Sequence, residues 1–406
     1  MCTLVQTPPA LQAEKRACIV VRPSAISPPV KIALIHYTAP PVLGGVERVV
    51  GEQIRLLRRE GHHVSLACFE GGSRDMADSL IPLSRNASRA DFAAYLGAAL
   101  AGVDCVLLHN VGTMPFAPEL THALQTLAHI YTQTRWICWV HDLALGNPDY
   151  PATFACPEQP HANACAAWEY IAISPLRARE VQERFQVACQ IVPNGLDLAA
   201  TLQLSAPMAA LAENLGLWDA DAVLLNPARL LPRKALEAGI RMTHALRSGG
   251  FDLRYLITGA SDPHNPAHAE HARHLRALVQ LLNLQDSVHF LNDRLSIGPR
   301  ELCDLYQVSD AVFLSGAREG FGLPVLEAGA FGKPVFCPDA EPMNTLPGAL
   351  AYPCDISISD LAAWLLRHLK GRETILARRQ ILRTYRWPSI YRSHLAPLLA
   401  RPPAAP

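Results

Sequence analysis

Residues 310–327 read Asp-Ala-Val-Phe-Leu-Ser-Gly-Ala-Arg-Glu-Gly-Phe-Gly-Leu-Pro-Val-Leu-Glu, a short apolar run, a glycine-rich turn and a second apolar run. The first run, 310–314, is apolar at consecutive positions, which is typical of a strand buried on both faces of a parallel sheet. Pro324 suits the first turn of a helix, because the N–H that proline lacks would be unpaired there. The stretch therefore predicts a strand, a loop and a helix over 323–331, the repeating unit of a parallel α/β fold.

The same alternation of strand and helix recurs along most of the chain. Strands are predicted at 31–36, 63–68, 104–109, 135–140, 169–173 and 189–192, and again at 222–226, 253–258, 287–291, 310–314 and 334–336. Helices are predicted at 46–60, 88–101, 117–129 and 175–186, and again at 234–247, 267–282, 299–308, 323–331 and 358–370. Residues 199–220 interrupt this rhythm, so we expect two doubly wound domains, 31–205 and 215–372, each of ordinary domain size. The last segment, 373–400, is predicted to be helical with an interruption at Trp387-Pro388.

Composition argues against several classes of function. Lys and Arg together number 36, as do Asp and Glu, so the basic surplus of a nucleic-acid-binding protein is missing. No apolar run reaches the ~18 residues of a membrane-spanning helix. The run Cys18–Val21 is shorter than the roughly 7–15 residues of a secretory signal, so residues 1–30, which are rich in proline, are expected to form a flexible tail. The 11 scattered cysteines favour reduced thiols in a cytoplasmic protein.

The strongest chemical signal is the segment from Glu319 to Glu327, at the carboxyl end of a predicted strand, where α/β proteins bind ligands. Gly320 and Gly322 let the backbone approach a ligand closely. The free N–H groups of the helix that follows favour an anion. Glu319 lies just before that helix and Glu327 one turn into it, so both carboxylates can face one ligand, and a carboxylate suits the vicinal hydroxyls of a sugar. A single glutamate chosen for the helix dipole would not explain the pair.

A second signal is the cation pair Arg229 and Lys234, which follows the predicted strand 222–226. Two cations five residues apart, at a strand end and a helix start, suit a diphosphate. Lysine near a helix N-terminus opposes the helix dipole, so a bound anion gives a reason for its position. Taken alone, the segment also fits an ordinary charged surface loop.

The first half of the chain carries weaker signals. Gly44-Gly45 opens a helix after the first strand but matches neither the NTPase nor the nicotinamide fingerprint, and it also fits a tight turn. His141-Asp142 ends the predicted strand 135–140, and that position favours a functional histidine over a structural one. Other polar residues at strand ends, for which structural and functional interpretations stay open, are Ser174, Asn194 and Gly195.

Two further segments could suggest a metal site or a membrane-binding surface. Cys156, His161 and Cys165 lack the closely spaced ligand pairs of a zinc site, so no metal is predicted. The arginines of helix 46–60 suit an anionic membrane, but its apolar residues favour packing against the core. Peripheral membrane contact therefore stays an alternative.

Taken together, these motifs resemble the retaining glycosyltransferases of family 4, which have the GT-B fold, over nearly the whole chain from Lys31. The segments that occur in the family's order are Gly44–Arg48, His141-Asp142, Ile171–Pro175, Val192–Asp197, Arg229 with Lys234, and Glu319–Glu327. The resemblance implies two Rossmann-like domains facing across a cleft, with an acceptor domain at 31–205 and a nucleotide-sugar donor domain at 215–372. Arg386-Trp387 resembles the family's closing segment, which implies that the last helix within 373–400 crosses back to the first domain.

The resemblance also implies an activity and a set of roles. The activity is metal-independent transfer, with retention, of a sugar from a UDP- or GDP-linked donor to a hydroxyl of a glycan, a lipid-linked glycan or a small solute, with no further cofactor. The implied catalytic residues are Arg229, Lys234, Glu319 and His141. The implied donor contacts are Gly44, Gly45, Phe321, Gly322, Leu323, Glu327 and, near the base, Arg294, where the family often has glycine. The alternatives are an inactive sugar-nucleotide-binding protein and a nucleotide-sugar epimerase, which usually lack this combination of cations and glutamates.

Overall fold

The computed structural model of the chain describes residues 29–150, 159–259 and 266–401, so the tail predicted at 1–30 lies almost wholly outside the described residues. The described residues form two parallel sheets. The strands of the first sheet are β1 (Lys31–Ile35), β2 (His63–Cys68), β3 (Ser79–Pro82), β4 (Cys105–His109), β5 (Arg135–Val140), β6 (Glu169–Ala172) and β7 (Cys189–Ile191). Those of the second are β8 (Ala222–Asn226), β9 (Leu253–Ile257), β10 (Val288–Phe290), β11 (Ala311–Phe313), β12 (Val335–Pro338) and β13 (Ala349–Tyr352).

Helices connect the strands and cover both sheets. In the first half they are α1 (Gly45–Arg59), α2 (Arg89–Ala99), α3 (Pro118–Ile130), α4 (Pro175–Phe185), α5 (Leu198–Thr201) and α6 (Ala206–Asn214). In the second half they are α7 (Leu236–Ser248), α8 (Pro266–Leu281), α9 (Pro299–Val308), α10 (Leu323–Ala330), α11 (Ile358–Lys370), α12 (Glu373–Thr384), α13 (Trp387–Ile390) and α14 (Ala396–Leu399). This architecture confirms the predicted α/β class with two doubly wound sheets.

The strand order places a reversal near the middle of each sheet. The first sheet has the order β3-β2-β1-β4-β5-β6-β7 and the second has the order β10-β9-β8-β11-β12-β13. Successive strands are therefore added in one direction up to β3 and β10, and in the other direction from β4 and β11. At such a reversal the loops diverge and leave a crevice at the carboxyl ends of the strands.

Burial on both faces explains the continuous apolar runs of the strands. In β1, Ile35 packs toward Phe92 of α2, whereas Leu34 packs toward Ile54 of α1. The second sheet is covered in the same way on its two faces. Each sheet is thus the middle layer of a three-layer domain.

Three parts of the predicted pattern were wrong or incomplete. The strands β3 and β13 were not predicted; both are four-residue edge strands whose side chains are only partly buried, so they lack the continuous apolar signal. Residues 199–220, interpreted as a break, contain α5 and α6. Pro207 lies in the first turn of α6, where proline is tolerated, so it does not interrupt a helix there.

The C-terminal segment packs on the first sheet. Trp387 and Leu398 are buried in the same core as Leu34, whereas Leu382 of α12 is buried in a core of the second sheet. The indole N–H of Trp387 donates a hydrogen bond to the buried carboxylate of Glu52. The chain after α12 therefore leaves the second sheet and returns to the first.

A buried carboxylate, Asp310, links β11 to α12. Its side chain is fully buried and accepts hydrogen bonds from the Val223 N–H at 2.8 Å, from Arg378 Nη1 at 2.6 Å and from Arg379 Nε at 2.5 Å. Arg379 is itself almost fully buried, and Asp310 compensates its charge.

Replacing Asp310 with alanine should lower the free energy of unfolding by about 3–5 kcal/mol, because Arg379 would then be a buried charge without a counterion. The measurement is urea-induced unfolding followed by circular dichroism. The matched control is Asp293→Ala, because Asp293 pairs with Arg276 at the surface and such pairs contribute about 0–1 kcal/mol. Equal losses for the two variants would contradict this account of Asp310.

Candidate active site

At the reversal of the second sheet, the loops after β8 and β11 are joined by an ion pair. Lys234 Nζ contacts Glu319 Oε1, and the two side chains are only 14% and 13% exposed. Ser315 Oγ donates a hydrogen bond of 2.9 Å to the Lys234 carbonyl. A Cβ on Gly316 would lie 2.4 Å from the Arg233 carbonyl oxygen, so only glycine allows this approach. The structure thus brings two of the predicted catalytic residues into direct contact.

Arg229 lies in the same loop but is placed differently. Its side chain is exposed, and it forms no hydrogen bond or ion pair with any residue in the ranges that the structure describes. Ala228 and Leu230 on either side of it are buried, so the loop backbone is anchored while the guanidinium faces solvent. Arg229 is therefore available to an anion.

A cavity of about 460 Å³ opens beside the ion pair, at the carboxyl ends of the strands. It is lined by Pro227, Thr258, Asn292, Ile297, Leu302, Glu319, Phe321, Gly322, Leu323, Pro324 and Glu327. Both glutamates of the sequence motif thus face one cavity. Gly322 has φ of 90°, which favours glycine, and it precedes α10, whose first turn contains Pro324.

Glu327 is oriented by a partner that the sequence did not reveal. Tyr306 in α9 donates a hydrogen bond of 2.6 Å from its hydroxyl to Glu327 Oε2. Tyr306 is 1% exposed and stacks on Phe331, with ring centroids 5.2 Å apart. Burial and, secondarily, the bonded Glu327 raise the pKa of Tyr306, so its hydroxyl keeps the proton that it donates. One carboxylate oxygen is thereby held, which leaves the other for a ligand.

The predicted donor contact Arg294 is not at this cavity. Its side chain lines a different cavity with Arg247, Arg254 and His289. Asn292, two residues earlier, is the residue of this segment that lines the cavity of Glu319 and Glu327. The segment turns after β10 in a short 3-10 helix, Leu291–Asp293, which sends the two side chains to different places.

At the reversal of the first sheet, three histidines come together. His36 follows β1, His109 ends β4 and His141 follows β5. His36 Nδ1 donates to the His109 carbonyl at 2.6 Å, since a carbonyl can only accept. His109 Nδ1 lies 3.0 Å from His141 Nε2, and His109 stacks on Trp139.

Burial keeps these imidazoles neutral near pH 7. It is the main cause that lowers the pKa of His141 to about 3, with a smaller contribution from His36. Burial, then His141 and His36, hold the pKa of His109 well below its ordinary value. Burial also lowers the pKa of His36, although the His109 carbonyl and Glu47 oppose it. The cluster can therefore form hydrogen bonds but carries no charge of its own.

The loop that contains Gly44 and Gly45 lies beside this cluster, and the carboxylate of Glu47 covers it. Glu47 Oε1 accepts a hydrogen bond of 2.5 Å from Thr38 Oγ1 and lies 3.7 Å from His36 Nε2. A Cβ on Gly44 would lie 1.9 Å from Glu47 Oε2, so a larger residue there would displace this carboxylate. A Cβ on Gly45 would meet nothing within 4 Å. Only Gly44 is thus explained by a close approach of protein atoms.

The backbone at His141 is fixed by Asn110. Its Oδ1 accepts hydrogen bonds from the N–H groups of His141 at 2.8 Å and Asp142 at 3.0 Å. Asp142 Oδ1 is 2.9 Å from Arg177 Nη2 and accepts from the Leu143 N–H at 2.9 Å. The carboxylate beside His141 is therefore already paired.

Two of the strand-end residues left open by the sequence, Ser174 and Gly195, have structural contacts. Ser174 caps α4 by accepting a hydrogen bond of 3.2 Å from the Arg177 N–H. A Cβ on Gly195 would lie 2.5 Å from the Trp387 ring, so this glycine permits close packing. Both positions are explained by the fold.

His36, His109, Asn110, Tyr306 and Asn292 are site residues that sequence reasoning missed. His36 and His109 end predicted strands, as His141 does, so the same strand-end signal applied to them. Asn110 and Asn292 directly follow predicted strands, so this signal applied to them too. Tyr306 carried no such signal, because it lies within a helix and its partner Glu327 is 21 residues away in sequence.

The described parts of the chain contain neither a metal-ligating cluster nor a membrane-spanning helix. No group of three or more His, Cys, Asp or Glu side chains there is placed to hold a metal ion. Cys156 lies outside the described residues. Within the described ranges, no helix combines the length and hydropathy needed to cross a bilayer. The apolar face of α1 is buried, as expected, and Arg48 pairs with Glu52 at 2.8 Å.

Comparison with known sequences identifies the family. The model described as "Glycosyltransferase Family 4" matches residues 43–200, and the model described as "Glycosyl transferases group 1" matches residues 210–346. The chain belongs to the family 4 glycosyltransferases. The GT-B fold implied by the resemblance is confirmed, since each matched region contains all strands but one of one of the two parallel sheets.

Similar proteins match only parts of the chain. A D-inositol 3-phosphate glycosyltransferase of Kineococcus radiotolerans is 31% identical over 223 residues, which are 53% of this chain and 47% of the relative. A protein of that name from Nocardia farcinica is 30% identical over 38% of this chain and 33% of the relative. The chain thus spans about half the length of the first of these relatives and a third of the second. A solved sucrose-phosphate synthase from Thermosynechococcus elongatus is 20% identical with a TM-score of 0.39, covering 91% of this chain and 98% of that one.

Proposed function

We propose that the protein transfers a sugar, with retention of anomeric configuration, from a UDP- or GDP-linked donor to an acceptor hydroxyl. The observation that carries this proposal is the placement of Glu319 and Glu327 on one cavity at the reversal of the second sheet, with Lys234 paired to Glu319. The cation of Lys234 suits a phosphate, and the carboxylate of Glu319 beside it suits the hydroxyls of the transferred sugar. The carboxylate of Glu327, one turn into the helix, suits the ribose. Arg229, with no partner among the described residues, adds a second cation for the diphosphate.

The cations act on the leaving group. When the bond between C1 of the donor sugar and the phosphate oxygen breaks, negative charge grows on the diphosphate. Lys234 stabilises that charge because it is fixed in place before the reaction, and Arg229 adds a second positive charge from the same loop. Lys234 is oriented for this by Glu319 and by the Ser315 contact to its carbonyl.

The pairing of the carboxylate beside His141 supports retention. An inverting transfer needs a carboxylate that takes the acceptor proton from the opposite face. Asp142 is the carboxylate next to His141, and it is already paired with Arg177 and the Leu143 N–H. The acceptor oxygen instead bonds to C1 on the face that the phosphate leaves, and its proton passes to the departing phosphate oxygen.

The proposed acceptor is a hydroxyl of a glycan, a lipid-linked glycan or a small solute. The relatives from Kineococcus and Nocardia are named for D-inositol 3-phosphate, so a phosphorylated cyclitol belongs among the small solutes to test. Glycans and lipid-linked glycans complete the panel. An inactive sugar-nucleotide-binding protein or an epimerase would leave every acceptor in the panel unmodified.

Stereochemistry tests the proposal as a whole. With α-linked UDP- and GDP-sugars and the acceptor panel, NMR of the product should show an α-linkage, and activity should persist in excess chelator. A β-linked product, or activity lost in chelator and restored by metal, would overturn the mechanism. A donor that is epimerised without transfer to any acceptor would favour the epimerase, and a donor that is bound but not turned over would favour the inactive binding protein.

Arg229→Ala and Lys234→Ala should each lower kcat by about 10²–10³-fold, because each removes one donor to the developing charge. The measurement is nucleoside diphosphate release with saturating donor. Arg233→Ala is the matched control, since Arg233 lies in the same loop, is 45% exposed and is 3.7 Å from Glu319; it should keep kcat within about tenfold. Near-normal turnover in the folded double variant Arg229→Ala/Lys234→Ala would contradict these roles.

Glu327→Ala should mainly raise the donor KM, because a ribose contact is equal in the ground and transition states. Tyr306→Phe should raise the donor KM in the same direction but less, because it removes only the hydrogen bond that orients Glu327. Glu319→Ala should mainly lower kcat, because its sugar contact can strengthen as charge develops on the ring. Steady-state kinetics separates these effects, and a Tyr306→Phe variant that changes kcat alone would show that Glu327 has been misassigned.

A further inference from the structure

The histidine pair at the reversal of the first sheet has a defined proton arrangement. His109 is fully buried, and its Nε2 has no hydrogen-bond partner in the part of the chain that the structure describes. Its Nδ1 lies 3.0 Å from His141 Nε2, a hydrogen-bond distance. Because both rings are neutral, one of these two nitrogens carries the proton and the other accepts it.

The buried Nε2 of His109 decides between the two arrangements. If His141 Nε2 donated, the proton of His109 would lie on its Nε2, as a buried N–H with no acceptor. If His109 Nδ1 donates, that Nε2 carries only a lone pair. Orphaned buried N–H groups are rarer than under-satisfied acceptors. His109 therefore donates from Nδ1 to Nε2 of His141.

Accepting at Nε2 places the proton of His141 on Nδ1. That nitrogen has no hydrogen-bond partner among the residues that the structure describes, and it is not enclosed like Nε2 of His109. Asn110 holds the His141 backbone, and His36 holds the His109 carbonyl at 2.6 Å. The pair is thus fixed both at its rings and at its backbone.

We propose that His109 is a positioning residue that holds His141 in its Nδ1–H form, so that His141 offers a hydrogen-bond donor to a substrate oxygen. This inference rests on the proposed function for the identity of that oxygen, a hydroxyl of the donor sugar. A ring that donates at Nδ1 and accepts from His109 at Nε2 has no free lone pair. His141 therefore orients the sugar and does not remove the proton of the acceptor.

The tautomer can be observed without any assay of activity. In protein labelled with ¹⁵N-histidine, two-bond ¹H–¹⁵N correlation spectra distinguish Nδ1–H from Nε2–H imidazoles. The His141 pattern, assigned by its loss in His141→Gln, should be that of Nδ1–H at pH 7. In His109→Leu it should change to the Nε2–H pattern that is commoner for histidine in water. An Nε2–H pattern for His141 in the unmodified protein would overturn the proposal.

Kinetics separates positioning from packing. In His109→Asn the side-chain amide can place an N–H near the position of Nδ1, whereas His109→Leu fills the space without a donor. With UDP-glucose or GDP-mannose, whichever the protein turns over, His109→Leu should lower kcat about tenfold, the effect of one hydrogen bond, and His109→Asn should restore most of it. Equal losses in both folded variants would show that His109 only packs.

The NMR and kinetic experiments together also distinguish a failure of this inference from a failure of the proposed function. If the unmodified protein turns over no sugar nucleotide, the proposed function fails, and the NMR spectra still decide the tautomer. If turnover is found and His141 shows Nε2–H, the proposed function stands and the role of His109 is wrong. His36→Gln is a control for general loosening of the cluster, because His36 contacts only the backbone of His109.

Discussion

Each of the two sheets reverses its strand order once, and the candidate site depends on these two reversals. Where neighbouring strands continue to opposite sides, their loops separate, and a crevice forms that no helix fills. In this chain a direct contact spans each reversal: His36 to the His109 carbonyl between β1 and β4, and Lys234 to Glu319 between β8 and β11. Each crevice is therefore bridged by residues at, or in contact with, those proposed to meet a ligand.

The two reversals differ in charge, and this difference fits the two ends of a nucleotide sugar. The histidine cluster is buried and neutral, so it can offer directed hydrogen bonds without attracting a phosphate. Lys234, Arg229, Glu319 and Glu327 are charged and only partly shielded, so they can bind an anion and the hydroxyls beside it. Pairing Lys234 with Glu319 also offsets the cost of keeping either charge away from water. The loop after β8 thus supplies the cation, and the loop after β11 supplies the carboxylate that is proposed to bind the sugar.

The sequence predicted the strands that carry a continuous apolar run and missed those with only a few apolar positions. Strands buried on both faces are apolar at every position, so β1, β4, β5 and β8 were predicted within about one residue. The edge strands β3 and β13 have fewer buried positions and gave no such run. In the site, strand-end chemistry located Lys234, Glu319 and His141. It placed Arg294 wrongly, because a 3-10 turn redirects its side chain, and it missed Tyr306, because Tyr306 and Glu327 are 21 residues apart in sequence.

The return of the chain to the first sheet explains residues that looked like ordinary turns. The Leu196 N–H donates to the Tyr385 carbonyl at 2.6 Å, and the Trp387 N–H donates to the Leu196 carbonyl at 3.3 Å. The two crossings between the sheets therefore lie side by side, and Gly195 leaves room for the Trp387 ring that Glu52 holds. A rotation of one sheet relative to the other would bend the chain at this one place, because both crossings share it. Asn194-Gly195 thus belongs to the connection between the sheets, at a distance along the chain from every residue that lines the cavity of Glu319.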